Sequence, residues 1–191
     1  MAAVKASSSR SFFSLFDFPE TYALDLFELE RRYREKTRVW HPDRFSRAPA
    51  SERAEVFLRA TELNEAYRTL RSDEKRAEYL LRLHGRDIGD ESRASAVDSS
   101  FLASFLELRE TFSEAVEKEN AAQIASIQAA VETRRRQLSA QLSEGFARLE
   151  PGDAEALDRL VKLFFEQRYF LRFADEIALA VETLSSASRV L

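Results

Sequence analysis

Apolar residues recur at three- and four-residue steps along most of this chain, which is the spacing of one face of an α-helix. The first such run, Phe12-Phe13-Ser14-Leu15-Phe16-Asp17-Phe18, packs five apolar side chains into seven positions before Pro19, and predicts a short, deeply buried helix. Asp25 followed by Glu28 is a capping-box-like start for a second helix, whose buried stripe is Leu26, Leu29, Tyr33, Lys36/Thr37 and Trp40. A third helix is expected to start near Ser51, capped by it, with a seam of Ala54, Phe57, Thr61, Asn64, Tyr67 and Leu70/Arg71. Together the second and third form an antiparallel hairpin, with residues from His41 to about Pro49 at its exposed tip. Asp73 caps a fourth helix, Glu74 to His84, which Gly85 ends.

Beyond this helix the pattern changes. Residues 86–100 are polar and read as a linker. Three longer seams follow: Phe101, Phe105, Leu108, Phe112, Val116; then Ile124, Ile127, Val131, Leu138, Leu142, Phe146, Leu149; then, past the turn at Pro151-Gly152, Leu157, Leu160/Val161, Phe164, Leu171 and Ala178. Short connections between amphipathic helices predict a small antiparallel three-helix bundle over residues 101–191. The fold class is therefore all-α. Only four Gly and four Pro among 191 residues agree with it. Residues 1–10, with Lys5, Arg10 and several serines but no acid, read as a disordered tail; the likeness to an organellar presequence is faint and the segment too short.

At the hairpin tip, Trp40 is followed by His41-Pro42-Asp43. Proline pushes His41 out of the helical region, so the second helix should stop near Trp40. His41 and Asp43 are then held on a rigid connection that suits docking better than catalysis. Charge points the same way. Residues 31–40 hold five bases against Glu35 on a chain whose formal charge is −4, with the net acid in residues 101–191. A concentrated basic face on a mildly acidic protein fits an acidic partner surface better than nucleic acid.

Catalytic constellations are missing from the sequence. Without cysteine there is no thiol chemistry, zinc–thiolate site or cluster held by the chain's own sulfurs. The only histidines, His41 and His84, have no metal-ligand partner at helical spacing, and no phosphate-cradling Gly-rich loop or nucleophile elbow occurs. His84-Gly85 reads as a helix end, and Arg134-Arg135-Arg136 as a solvated turn rather than a phosphate site. No apolar run is long enough for a membrane span. Neither enzymatic activity, nor a cofactor, nor a metal is expected.

The helix Leu26–Trp40, the run His41-Pro42-Asp43-Arg44-Phe45 and the third-helix segment from Ala60 to Leu70 resemble the J-domain, the cochaperone module that activates DnaK-like ATPase chaperones. Three further stretches are similar to HscB, the J-type cochaperone of iron–sulfur cluster assembly: Phe13-Ser14-Leu15-Phe16, the run from Arg76 to Gly85, and Phe101-Leu102 with Leu106-Glu107-Leu108-Arg109-Glu110. The resemblance implies a J-domain over residues 11–85 and a scaffold-binding domain over 101–191.

It also implies the sites. His41, Pro42 and Asp43 would activate a DnaK/HscA-like chaperone, with Arg31, Arg32, Arg34, Lys36 and Arg38 supplying steering charge. An IscU-like scaffold would bind Leu102, Leu106, Glu107, Arg109, Glu110 and Phe173, with Phe170 a competing alignment for the aromatic contact. By spacing alone, Leu102 and Leu106 lie about 100° beyond the seam, where a wide core stripe would bury them and a docking face would expose them. Ala103 departs from the larger apolar residue of relatives. The family implies a cytoplasmic monomer that holds neither nucleic acid nor membrane. Two other readings stand beside it: a general J-domain cochaperone with a different client on the bundle, and a non-chaperone helical scaffold.

Overall fold

The computed structural model describes residues 11–86, 88–89 and 97–187, and within these every regular element is helical. The tail expected over residues 1–10, and residues 87 and 90–96 of the expected linker, lie outside the described residues. The chain divides into two compact units, Met1–Leu80 and Leu81–Leu191, so the division falls inside a helix.

In the first unit, α1 (Phe12–Leu15) is one turn, capped by Ser11 and closed by Asp17 at φ 58°. It seats Phe13 and Phe16 fully in the core. Helix α2 (Leu26–Val39) starts as expected at Asp25, whose Oδ1 accepts from the amides of Phe27 and Glu28 at 2.9 and 3.1 Å. Glu28 does not return the bond to the cap. It pairs instead with Arg31 and Arg32, each at 2.6 Å.

Those guanidiniums, Arg31 first, hold the Glu28 carboxyl down to about 2. A carboxyl lowered in the folded state stabilises above its unfolded value and loses that contribution as pH falls through the folded one. Thermal melting of the protein and of Glu28→Gln should therefore differ slightly at about pH 6 and converge by about pH 2. A gap that widens on acidification would contradict the pairing.

Helices α2 and α3 (Ala50–Arg71) form the antiparallel hairpin. Tyr33 stacks on Tyr67 at 4.0 Å, and its hydroxyl donates to Asn64 at 2.7 Å. The expected α3 seam holds at its end, at Tyr67 and Leu70, and is out of phase before it. Val56, Leu63, Ala66 and Leu70 are buried, whereas Phe57 is 65 % exposed and Thr61 faces solvent with its hydroxyl donating to the Phe57 carbonyl. Leu26 is likewise exposed rather than in the α2 stripe. Helix α3 begins at Ala50 behind Pro49, without a side-chain cap, so Ser51 caps nothing.

Helix α4 (Asp73–Leu83) is capped by Ser72, which accepts from the Lys75 amide, and not by Asp73. Asp73 is occupied by Arg76. Gly85, at φ 77°, ends the helix as expected, with the Arg86 amide donating back to the Leu81 carbonyl at 2.9 Å. Arg76 is buried, and its guanidinium donates to the carbonyls of Tyr22 and Leu70 and to Asp73, joining three stretches of chain.

The second unit is a three-helix arrangement of α5 (Ser99–Glu117), α6 (Ala121–Ala147) and α7 (Ala154–Ala187). The first two seams hold: Phe105 and Phe112, then Ile124, Ile127, Val131, Leu138 and Leu142, are buried. In α7 the seam is right through Phe164 and then slips. Phe170, Phe173 and Ile177 are buried, while Leu171 is half-buried and Ala178 exposed. Gly145 lets α6 approach α7 closely, since a Cβ there would lie 2.7 Å from a methyl carbon of the buried Leu160. Arg86 donates to the Ala154 carbonyl and pairs with Asp158 at 2.8 Å, and Lys162 pairs with Asp98 just before α5. Among the described residues no helix is long and apolar enough to cross a membrane.

Candidate functional site

The hairpin tip is built by its neighbours. Helix α2 ends at Val39 with Trp40 as its last cap, and His41 is extended at φ −70°, ψ 127°, as proline requires. The tripeptide then opens a 3-10 turn, Pro42–Phe45. His41 is its cap: Nδ1 accepts from the Asp43 amide at 3.3 Å, and the His41 carbonyl accepts from the Arg44 amide at 3.0 Å. The Trp40 ring is parallel to that of Phe45 at 6.4 Å, and the Arg59 guanidinium of α3 stands over it at 4.5 Å. Arg44 reaches back to the Arg38 carbonyl at 3.1 Å. These contacts fix the backbone while the Asp43 side chain stays 89 % exposed. The chemistry is that of a rigid, presented hydrogen-bond acceptor.

The five expected bases do not share one face. Arg32 donates to the carbonyls of Phe16 and Asp17 at 2.8 Å and covers the Phe18 ring; Lys36 pairs with Asp17 at 2.9 Å. Both are turned toward the α1 end, where they also serve the fold. Arg31, Arg34 and Arg38 form the solvent stripe. Of these, Arg31 is shared between Glu28 and Glu35 and Arg34 pairs with Glu30, while Arg38 has no carboxylate partner among the described residues. The uncompensated charge therefore gathers beside the tripeptide, at Arg38 and the exposed Arg44 and Arg47. Sequence reasoning missed the last two, although both follow the motif within four residues.

In the second unit, Leu106 is 62 % exposed, and Glu107, Arg109 and Glu110 are exposed, while Leu102 is half-buried. Leu102, Leu106, Arg109 and Glu110 fall along one side of α5; Glu107 lies about 100° further round than Leu106. Arg109 crosses to Glu176 of α7 at 2.8 Å, so the face continues onto that helix, where Leu179 is 66 % exposed. Neither Glu176 nor Leu179 was legible as part of a face, because the link is tertiary.

Phe173 is misplaced by the sequence reading. It is 1 % exposed, edge-on to Phe105 at 5.6 Å and to Phe112 at 5.4 Å. The competing Phe170 is also buried, against Phe101 and Phe105. Helical spacing puts both, with Ile177, on one side of α7, and that side meets the α5 phenylalanines. No aromatic of this pair is offered to a partner. The triple arginine is structural too: Arg134 pairs with the buried Glu166 at 2.8 Å and Arg135 with Glu132 at 2.9 Å.

A helical hairpin presenting His-Pro-Asp at its tip, followed by a separate helical unit, defines a J-domain cochaperone. Residues 20–79 match the family model described as DnaJ domain, and residues 97–178 the one described as HSCB C-terminal oligomerisation domain. The chain is 33 % identical over 181 residues to a co-chaperone protein HscB homolog of Paraburkholderia phymatum, covering 95 % of this chain and 99 % of the relative. Chaperone HscB from Vibrio cholerae superposes with a TM-score of 0.77 at 27 % identity, over 91 % of this chain and 99 % of the other. Human co-chaperone protein HscB gives 0.79 at 28 % identity, over 91 % and 83 %. The chain belongs to the HscB co-chaperone family.

Proposed function

We propose that this protein stimulates the ATPase of a DnaK/HscA-like chaperone through its J-domain and delivers an IscU-like scaffold to it through the second unit, during iron–sulfur cluster assembly or transfer. The observation that carries the first half is the capped turn holding Asp43 outward beside Arg38, Arg44 and Arg47. A partner arginine can be met by the carboxylate and partner acids by the three bases. Membership of the HscB family and the exposed α5 face support the second half. Linking two modest contacts in one chain raises the effective concentration of client at the chaperone without new contacts.

Within the second unit, the scaffold face is Leu102, Leu106, Arg109 and Glu110, with Glu107 at its margin and Glu176 and Leu179 extending it. Leu102→Ala with Leu106→Ala should weaken scaffold binding by roughly 10-fold or more in calorimetric titration, because truncated central apolar contacts dominate such interfaces. The variant should retain its helicity and its basal stimulation of the chaperone. Unchanged affinity would remove the face from the account.

A further inference from the structure

Phe27 is the most exposed large apolar side chain among the described residues, at 89 %. It stands on α2 in register with Arg31, Arg34 and Arg38, and with them and Glu30 and Glu35 it lines one shallow hollow along the helix. Steps of four, three and four residues keep these side chains on one side, which is turned away from the buried Leu29.

Charge along this stripe is graded. At its far end Arg31 and Arg34 are answered by Glu28, Glu35 and Glu30, whereas Arg38, next to the tripeptide, is not answered. The end near Phe27, about 16 Å from Arg38 along the axis, therefore has little net charge with which to hold an acidic partner. It has an uncovered aromatic ring rimmed by arginines and carboxylates, which is the composition of an interface anchor inside a polar ring.

We propose that Phe27 is an apolar anchor for the chaperone, seated in an apolar depression of its acidic surface, so that α2 is gripped at both ends. This rests on the chaperone-activating role of the hairpin given above. The partner surface is acidic, because the unanswered charge on this stripe, Arg38, is positive. Phe27 sets affinity at the far end; Asp43 performs activation at the near end.

The test titrates the full chain against the chaperone's steady-state ATPase, reading half-saturating concentration and maximal stimulation separately. Phe27→Ala should raise the half-saturating concentration about ten-fold with maximal stimulation kept. Phe27→Leu should recover most of the loss. Melting temperature should be unchanged, since the ring covers nothing in the fold. An unaltered half-saturating concentration for Phe27→Ala, while Asp43→Asn is inactive, overturns the anchor and leaves the J-domain reading standing. Stimulation retained by Asp43→Asn overturns both. A shift in sedimentation for Phe27→Ala without a shift in half-saturation would mean that a second copy of this chain covers the ring, and would also overturn the proposal.

Discussion

Asp43→Asn should abolish stimulation of the partner chaperone's ATPase, by ten-fold or more, while the protein keeps its helicity and melting temperature. The carboxylate is 89 % exposed and lies 3.6 Å from the His41 ring nitrogen Nδ1. The 3-10 turn is held by backbone atoms and His41 Nδ1, none of which the substitution removes. Asparagine has nearly the same shape but one fewer acceptor oxygen and no charge, so a bidentate, charge-assisted bond to a partner guanidinium is lost. A surface change of this kind alters stability by no more than about 0.5 kcal/mol. ATPase assays with circular dichroism on the same samples separate the two effects.

The largest effect on the fold is expected at Arg76. Truncation to Ala should destabilise the first unit by about 3 kcal/mol, read from urea unfolding followed at Trp40. The guanidinium is buried and donates to the Tyr22 and Leu70 carbonyls, to Asp73, and lies 5.2 Å from the Tyr22 ring. Its removal leaves two carbonyls without their donor and opens a cavity between the α1–α2 connection and the α3–α4 corner. Arg76→Lys should recover only part of the loss, because one ammonium cannot reproduce the planar fork. A loss below about 1 kcal/mol would mean that water replaces these bonds.

Arg76 also marks what a sequence can and cannot disclose. The run from Arg76 to Gly85 is a sign of family membership in the sequence; only the fold reveals that its first residue is a buried stitch. Features set by neighbouring residues were legible: the Asp25 cap, the stop at Trp40, the Gly85 helix end and the first two bundle seams. Phase was lost where several apolar residues adjoin. At Val56-Phe57-Leu58 a helix has two plausible inner faces, and the Tyr33–Tyr67 stack and the small Ala66 at the hairpin contact decide for Val56. In α7, Phe170-Leu171 leaves the same ambiguity, resolved for Phe170 by the phenylalanines of α5.

The docking residues divide in the same way. His41 and Asp43 are exposed at the tip because local backbone chemistry places them there. Arg32 and Lys36 looked equivalent to Arg34 and Arg38, yet carbonyls and a carboxylate from the α1 end claim them. Phe173 was expected to meet a partner and instead fills the bundle, while Leu106, about 100° round α5 from the buried Phe105, remains in solvent.

The claim that one chain couples chaperone activation to client delivery is tested most directly by a single ATPase measurement. The chaperone's steady-state rate is followed with sub-saturating scaffold alone, this protein alone, and both together. The account predicts that the combined rate exceeds the sum of the separate stimulations several-fold, as expected when a linked second contact acts at raised effective concentration. A combined rate equal to that sum would contradict it.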